Sequence, residues 1–150
     1  MMIRFQETLT VSEFLVSIKR RYKDVEHLRV HVKKHPRDIR AKLDLEDFEY
    51  YAKRPDMIHE KIQRAVSLIP VTDEALAMFT HQRLKMLDIL QFKRFESVRQ
   101  LAEYLGRDVR NVYDDLRRFR SLGILDLEPG PRNSRIPRLL ADAIVLTPGK

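Results

Sequence analysis

Apolar residues return at helical spacing over much of this chain. Phe14, Leu15, Ile18, Tyr22, Val25 and Val32 share one face, so the spacing predicts a long amphipathic helix over Val11 to Lys34, closed by Pro36. Leu28, Val30 and Val32 also alternate, which makes a short terminal strand the alternative. Asp44 is placed as the N-cap of a helix through Leu45, Phe48, Tyr51 and Ala52, with acids in its first turn and Pro55 after it. Ile58, Ile62, Ala65 and Val66 predict a further helix before Pro70, and Asp73 to Phe79 one short helical turn.

From Thr80 the punctuation is denser. Thr80 is an N-cap for a helix burying Leu84, Leu87, Ile89 and Leu90. After a polar break, Ser97 and Gln100 have capping-box spacing at the head of a helix that buries Val98, Leu101, Ala102 and Leu105 and stops at Gly106. Asp108 caps a third helix, about 108–122, that stops at Gly123. Ile124 to Glu128 and Arg135 to Leu139 read as a hairpin around a tight loop, and Ala143 to Leu146 as a last strand. The fold class expected is mainly α with a small β-wing. Residues 1–71 form an N-terminal helical region for dimerisation or partner binding, and 72–150 a winged helix-turn-helix domain.

Composition and charge narrow the function. The 150 residues carry a net charge of +7, with 14 Lys and Arg against 9 Asp and Glu from His81 onward. An excess of that kind favours a polyanionic partner. Lys19 to Lys42 is basic and Asp44 to Glu60 acidic; solvated faces of separate helices are the preferred reading, and pairing of the two blocks within the chain or across a dimer is the alternative. There is no cysteine, no stretch long and apolar enough to span a membrane, and no apolar signal core near the N-terminus, so a cytoplasmic protein without a membrane partner is expected. All four glycines lie beyond residue 105, too scattered for a phosphate-cradling loop.

The third helix carries the candidate chemistry. Val109, Val112, Leu116 and Phe119 form its core stripe. The other face presents Arg110, Asn111, Asp114, Arg117, Arg118 and Ser121, with Arg107 in the turn before it. Arginine and asparagine match guanine and adenine edges in a major groove, and the same arginines can instead pair with phosphates. Arg132, Asn133 and Arg135 sit on the proline-flanked wing, about 129–135, where phosphates or a narrow minor groove are in reach. Together with Arg99 these, Ser121 apart, form the expected DNA-binding set.

The run Phe79-Thr80-His81-Gln82-Arg83-Leu84, then Glu96-Ser97-Val98-Arg99-Gln100-Leu101-Ala102, Gly106-Arg107-Asp108-Val109-Arg110-Asn111-Val112-Tyr113-Asp114-Asp115-Leu116 and Gly123-Ile124-Leu125, resembles the archaeal MarR-like winged-helix transcriptional regulators over residues 79–146. The resemblance implies a small DNA-binding regulator, sometimes an antitoxin-like partner of a neighbouring protein. Pro129 and Pro131 in the wing, and an N-terminal region of some 75 residues, depart from the family pattern.

His27, His31 and His35 at four-residue spacing form a tempting metal stripe, but no carboxylate completes it and Pro36 follows at once. No metal, cofactor, catalytic residue or enzyme activity is expected. The function expected is sequence-preferring binding of double-stranded DNA by a homodimer, since two-fold symmetry doubles a short half-site. The alternative is a protein-contact module, an antitoxin or transcription-machinery subunit, holding a protein partner through its N-terminal region.

Overall fold

The first ten residues pair into a sheet before any helix begins. The computed structural model describes residues 1–148; the last two residues of the expected 72–150 domain, Gly149 among them, lie outside the described residues. β1 (Met2–Thr10) buries Ile3 and Phe5, and a bulge between Phe5 and Gln6 then shifts its register. β2 (Lys61–Pro70) lies antiparallel on one side of β1, and β5 (Ala143–Thr147) on the other. The hairpin β3 (Leu125–Pro129) and β4 (Arg135–Leu139) forms a separate two-stranded sheet.

Between β1 and β2 lie α1 (Val11–Tyr22), α2 (Val25–Lys34) and α3 (Ile39–Ala52). After β2 come α4 (Asp73–Ala77), α5 (His81–Phe92), α6 (Val98–Leu105) and α7 (Val109–Ser121). Each starts on an Asp, Ser or Thr whose side chain accepts a hydrogen bond from a backbone N–H two or three residues on, which satisfies orphan amides of the first turn.

The architecture is therefore α+β, and it corrects the expected mainly α fold of an N-terminal helical region followed by a winged helix-turn-helix domain. The three-stranded sheet draws residues 2–10, 61–70 and 143–147 together, so the last strand joins the N-terminus rather than the wing. Asp142 secures this closure: its N–H donates to the Gln6 carbonyl, and its carboxylate accepts from the Thr8 N–H. One core runs across residue 71, combining Ile3, Phe5 and Val66 of the sheet with buried residues of α5, α6, α7 and β3. The rings of Phe5, Phe79 and Phe119 pack in series, 6.0 and 6.2 Å apart, and connect β1 to α7.

Four local expectations fail for identifiable reasons. The helix expected over Ile58 to Val66 is strand β2; Arg64, Ala65, Val66 and Ser67 are buried in succession, so neither face shows the alternation that marks a half-exposed strand. The single helix expected over Val11 to Lys34 breaks at Lys23, whose φ is 77°, because Asp24 caps a new helix by accepting from the His27 N–H. α3 begins at Ile39 under Asp38, not at Asp44. In α5 the core positions are Met86, Leu87 and Leu90, and Leu84 is exposed.

Asp44 has a different task. It is fully buried and meets Arg64 at 2.6 Å, Arg21 at 2.8 Å and the Tyr22 hydroxyl at 2.8 Å. Arg64, itself buried, also binds Glu7 and Asp47 and lies over the Phe14 ring. Burial works against the Arg64 charge, but Asp44 and Glu7 outweigh it and hold the guanidinium charged. Burial, then the Asp44 charge, pushes the Tyr22 phenol above its ordinary value. The basic and acidic blocks are thus partly paired within the chain, through Arg21 with Asp44 and Arg29 with Glu49, rather than being only solvated faces.

Candidate nucleic-acid interface

Helix α7 is held from behind by Val112, Leu116 and Phe119, all fully buried, with Val109 partly buried beside them. Gly106 permits the turn into it: its φ of 65° suits a residue without a Cβ, and its N–H closes α6 on the Ala102 and Glu103 carbonyls. Ser97 caps α6 as expected, while Gln100 reaches back to the Glu96 N–H, one residue earlier than the capping box places it. Asp108 then accepts from the N–H groups of Arg110 and Asn111. Since that carboxylate already occupies two first-turn amides, what α7 offers at its surface is mainly side chains.

Those side chains are where the sequence placed them. Arg110, Asn111, Asp114, Arg117 and Arg118 are all exposed on α7, and Arg99 is exposed on α6. Arg117 lies over the Tyr113 ring at 4.4 Å and 3.8 Å from Asp114, both weak restraints at the surface. Arg132, Asn133 and Arg135 are exposed on the hairpin. At its tip Arg132 and Asn133 have φ of 54° and 61°, a left-handed pair that turns the chain sharply and costs an arginine more than a glycine. Gly130 fits beneath, because a Cβ there would lie 2.6 Å from Ser134 Oγ and 3.0 Å from Ile136 Cγ1.

Arg107 differs from the rest of the set. It is mostly buried and donates to Asp115 Oδ2 at 2.8 Å, while Arg83 of α5 donates to Asp115 Oδ1 at 2.9 Å. Asp115 is itself buried on the inner flank of α7. This Arg83–Asp115–Arg107 hub locks α7 to α5 and to the turn. Sequence reasoning passed over both Asp115 and Arg83; the signal was a second aspartate four residues before Phe119, on the flank of the core stripe. Arg118 stands 3.9 Å from Asp115, and a cleft of about 480 Å³ opens between Gln82, Arg83, Asn111 and Arg118.

The segment that carries this surface, residues 107 to 138, is positive overall, with eight arginines against five acids. Elsewhere, the histidine stripe is taken up locally: His31 meets Asp38 at 2.8 Å and stacks on His35, and His27 meets Asp24.

Residues 78–146 match the family model described as HVO_A0114. This segment is similar to that family. The matched stretch runs from the residues before α5 to β5 and contains every residue of the hub, the α7 face and the hairpin. It leaves out β1, β2 and the helices α1 to α3. No curated protein and no solved structure matches the chain. Among the described residues no helix is long and apolar enough to cross a membrane.

Proposed function

We propose that the protein binds double-stranded DNA, with the exposed face of α7 in the major groove and the β3–β4 tip on the backbone or minor groove beside it. The observation that carries this reading is the arrangement of Arg110, Asn111, Arg117 and Arg118 on one exposed helix face, fixed from behind by the Asp115 hub, with Arg132 and Arg135 also exposed on the hairpin. Thirteen residues make a helix about 20 Å long, and a major groove about 12 Å wide admits it. Arg110 and Asn111, in the first turn, approach base edges; Arg117, Arg118, Arg132 and Arg135 neutralise phosphates.

On this reading the protein is a transcriptional regulator of the MarR-like kind that works in the cytoplasm beside the DNA. It acts as a homodimer, because one helix reads too few base pairs to select a site. The experiment is a salt titration of affinity for a duplex. Each neutralised phosphate contributes about 0.9 to the log–log slope, so four phosphate contacts give a slope of roughly −3.6 per protomer. A slope near zero, or no binding at low salt, removes DNA as the partner.

One observation favours a protein partner instead. Phe92 is 80% exposed at the end of α5, beside an open cleft that also includes Pro137 and Leu139 of the hairpin strand. A large aromatic so placed fits a protein contact better than a phosphate contact.

A further inference from the structure

The flank of α7 opposite Asn111 faces a second basic cavity. Arg120 follows Asn111 by nine residues, half a turn round the helix at 100° per residue, so it points away from the cleft at Arg118. It meets Arg37, just before α3, and Arg40 in the first turn of α3, together with Ser67 of β2, around a cavity of about 460 Å³ also lined by Ser121 and Gly123. The three arginines have no ion pair and no side-chain hydrogen bond among the described residues, and Arg40 Nε is buried without a partner. The one carboxylate lining the cavity, Asp38, is already engaged by the Ala41 N–H at 3.0 Å and by His31 at 2.8 Å. The Phe119 and Arg120 carbonyls near the end of α7 are likewise taken, by the N–H groups of Leu122, Gly123 and Ile124.

Unmatched positive charge is costly where burial removes water. Burial, with Arg21 nearby, lowers the pKa of Arg40, and Asp44 and Asp126 only partly offset it. An incoming anion relieves the same imbalance. A single carboxylate neutralises one of the three arginines, whereas a phosphate or diphosphate group carries two or more charges and accepts the forked donors of several guanidiniums. The N-terminal end of α3 adds favourable dipole, and the volume lies within the range of small-molecule sites.

We propose that this cavity binds a small phosphate-bearing molecule of about mononucleotide size, held by Arg37, Arg40 and Arg120. Such a ligand bridges α3 to the last turn of α7, and so ties the part of the chain outside the HVO_A0114 match to the helix assigned to DNA. That consequence rests on the DNA reading; the binding itself does not.

Calorimetric titration of the full chain with inorganic pyrophosphate, ADP and adenosine tests it. Pyrophosphate and ADP bind and adenosine does not. Arg37→Ala and Arg120→Ala each weaken binding about tenfold. Both residues are exposed and unpaired, so the melting temperature without ligand stays unchanged. In a parallel duplex titration these two variants keep wild-type DNA affinity. Absence of pyrophosphate and ADP binding at millimolar concentration, or binding indifferent to both substitutions, overturns the proposal. Parallel loss of pyrophosphate and duplex binding also overturns it, by assigning these arginines to the DNA backbone.

Discussion

Replacing Asp115 with Asn tests how α7 is held, because it removes one charge and leaves the side-chain shape intact. The native carboxylate accepts two charge-assisted hydrogen bonds, from Arg83 Nε at 2.9 Å and from Arg107 Nη2 at 2.8 Å. Bonds of this kind contribute about 1.5–3 kcal/mol each, and breaking a fully buried pair costs about 3–5 kcal/mol. Both arginines keep 18% side-chain exposure, so water recovers part of the loss, and Asn retains one acceptor. Arg107 Nη1 has no partner to begin with, so that guanidinium is left poorer still. The balance is a destabilisation of about 2 kcal/mol, or a fall of roughly 4–8 °C in melting temperature for a chain of this size. Thermal and urea unfolding measure it. A double-mutant cycle with Arg83→Met should show a coupling of about 1 kcal/mol, since the two substitutions break one interaction. Asp115→Asn within about 0.5 kcal/mol of wild type, or strictly additive with Arg83→Met, refutes the hub. The same substitution frees positive charge beside the α7 face, so sequence-independent DNA affinity at low salt should rise while stability falls.

Arg64→Met should destabilise by about 3–5 kcal/mol in urea unfolding, because it leaves Asp44 buried with part of its counter-charge gone. Gly130→Ala should cost about 1–2 kcal/mol and weaken DNA binding, since the new Cβ displaces Ser134 and Ile136 at the base of the hairpin tip. Burial raises the Asp38 pKa, but the Ala41 N–H and His31 outweigh it, so the folded value lies below the ordinary one. Its stabilisation is therefore present above about pH 4 and is lost as pH falls through the folded value; Asp38→Asn should flatten that acid limb of a melting-temperature profile.

The C-terminal half was legible because its local signals agree with its packing. Thr80, Ser97 and Asp108 cap the helices they were expected to cap, Gly106 and Gly123 adopt positive φ at their ends, and Val112, Leu116 and Phe119 form one buried stripe. The N-terminal half was not legible, because its sheet is assembled over long sequence distances. The bulge after Phe5 interrupts the alternation of β1, and the buried run at Arg64 to Ser67 hides that of β2. Nothing local announces that Ala143 to Thr147 pairs with Met2 to Gln6. Asp44 looked like a cap because acids favour helix starts, yet its partner Arg64 lies 20 residues away on another element. Arg107 shows the same limit within the candidate site: spacing placed it in the turn, but only the fold reveals Asp115 beneath it.

Competition between a selected duplex and its scrambled counterpart, measured for wild type and for four arginine and asparagine variants, bears most directly on the assignment of α7 to DNA. Sites are first selected from random duplex by the intact protein. Arg110→Ala and Asn111→Ala should then lose about 1–3 kcal/mol on the selected duplex alone and relax its preference at one or two positions. Arg118→Ala and Arg132→Ala should weaken both duplexes about equally and reduce the salt slope by about one. Equal losses from all four variants on both duplexes would contradict base reading by α7, and no loss from any of them would take the DNA surface away from this face altogether.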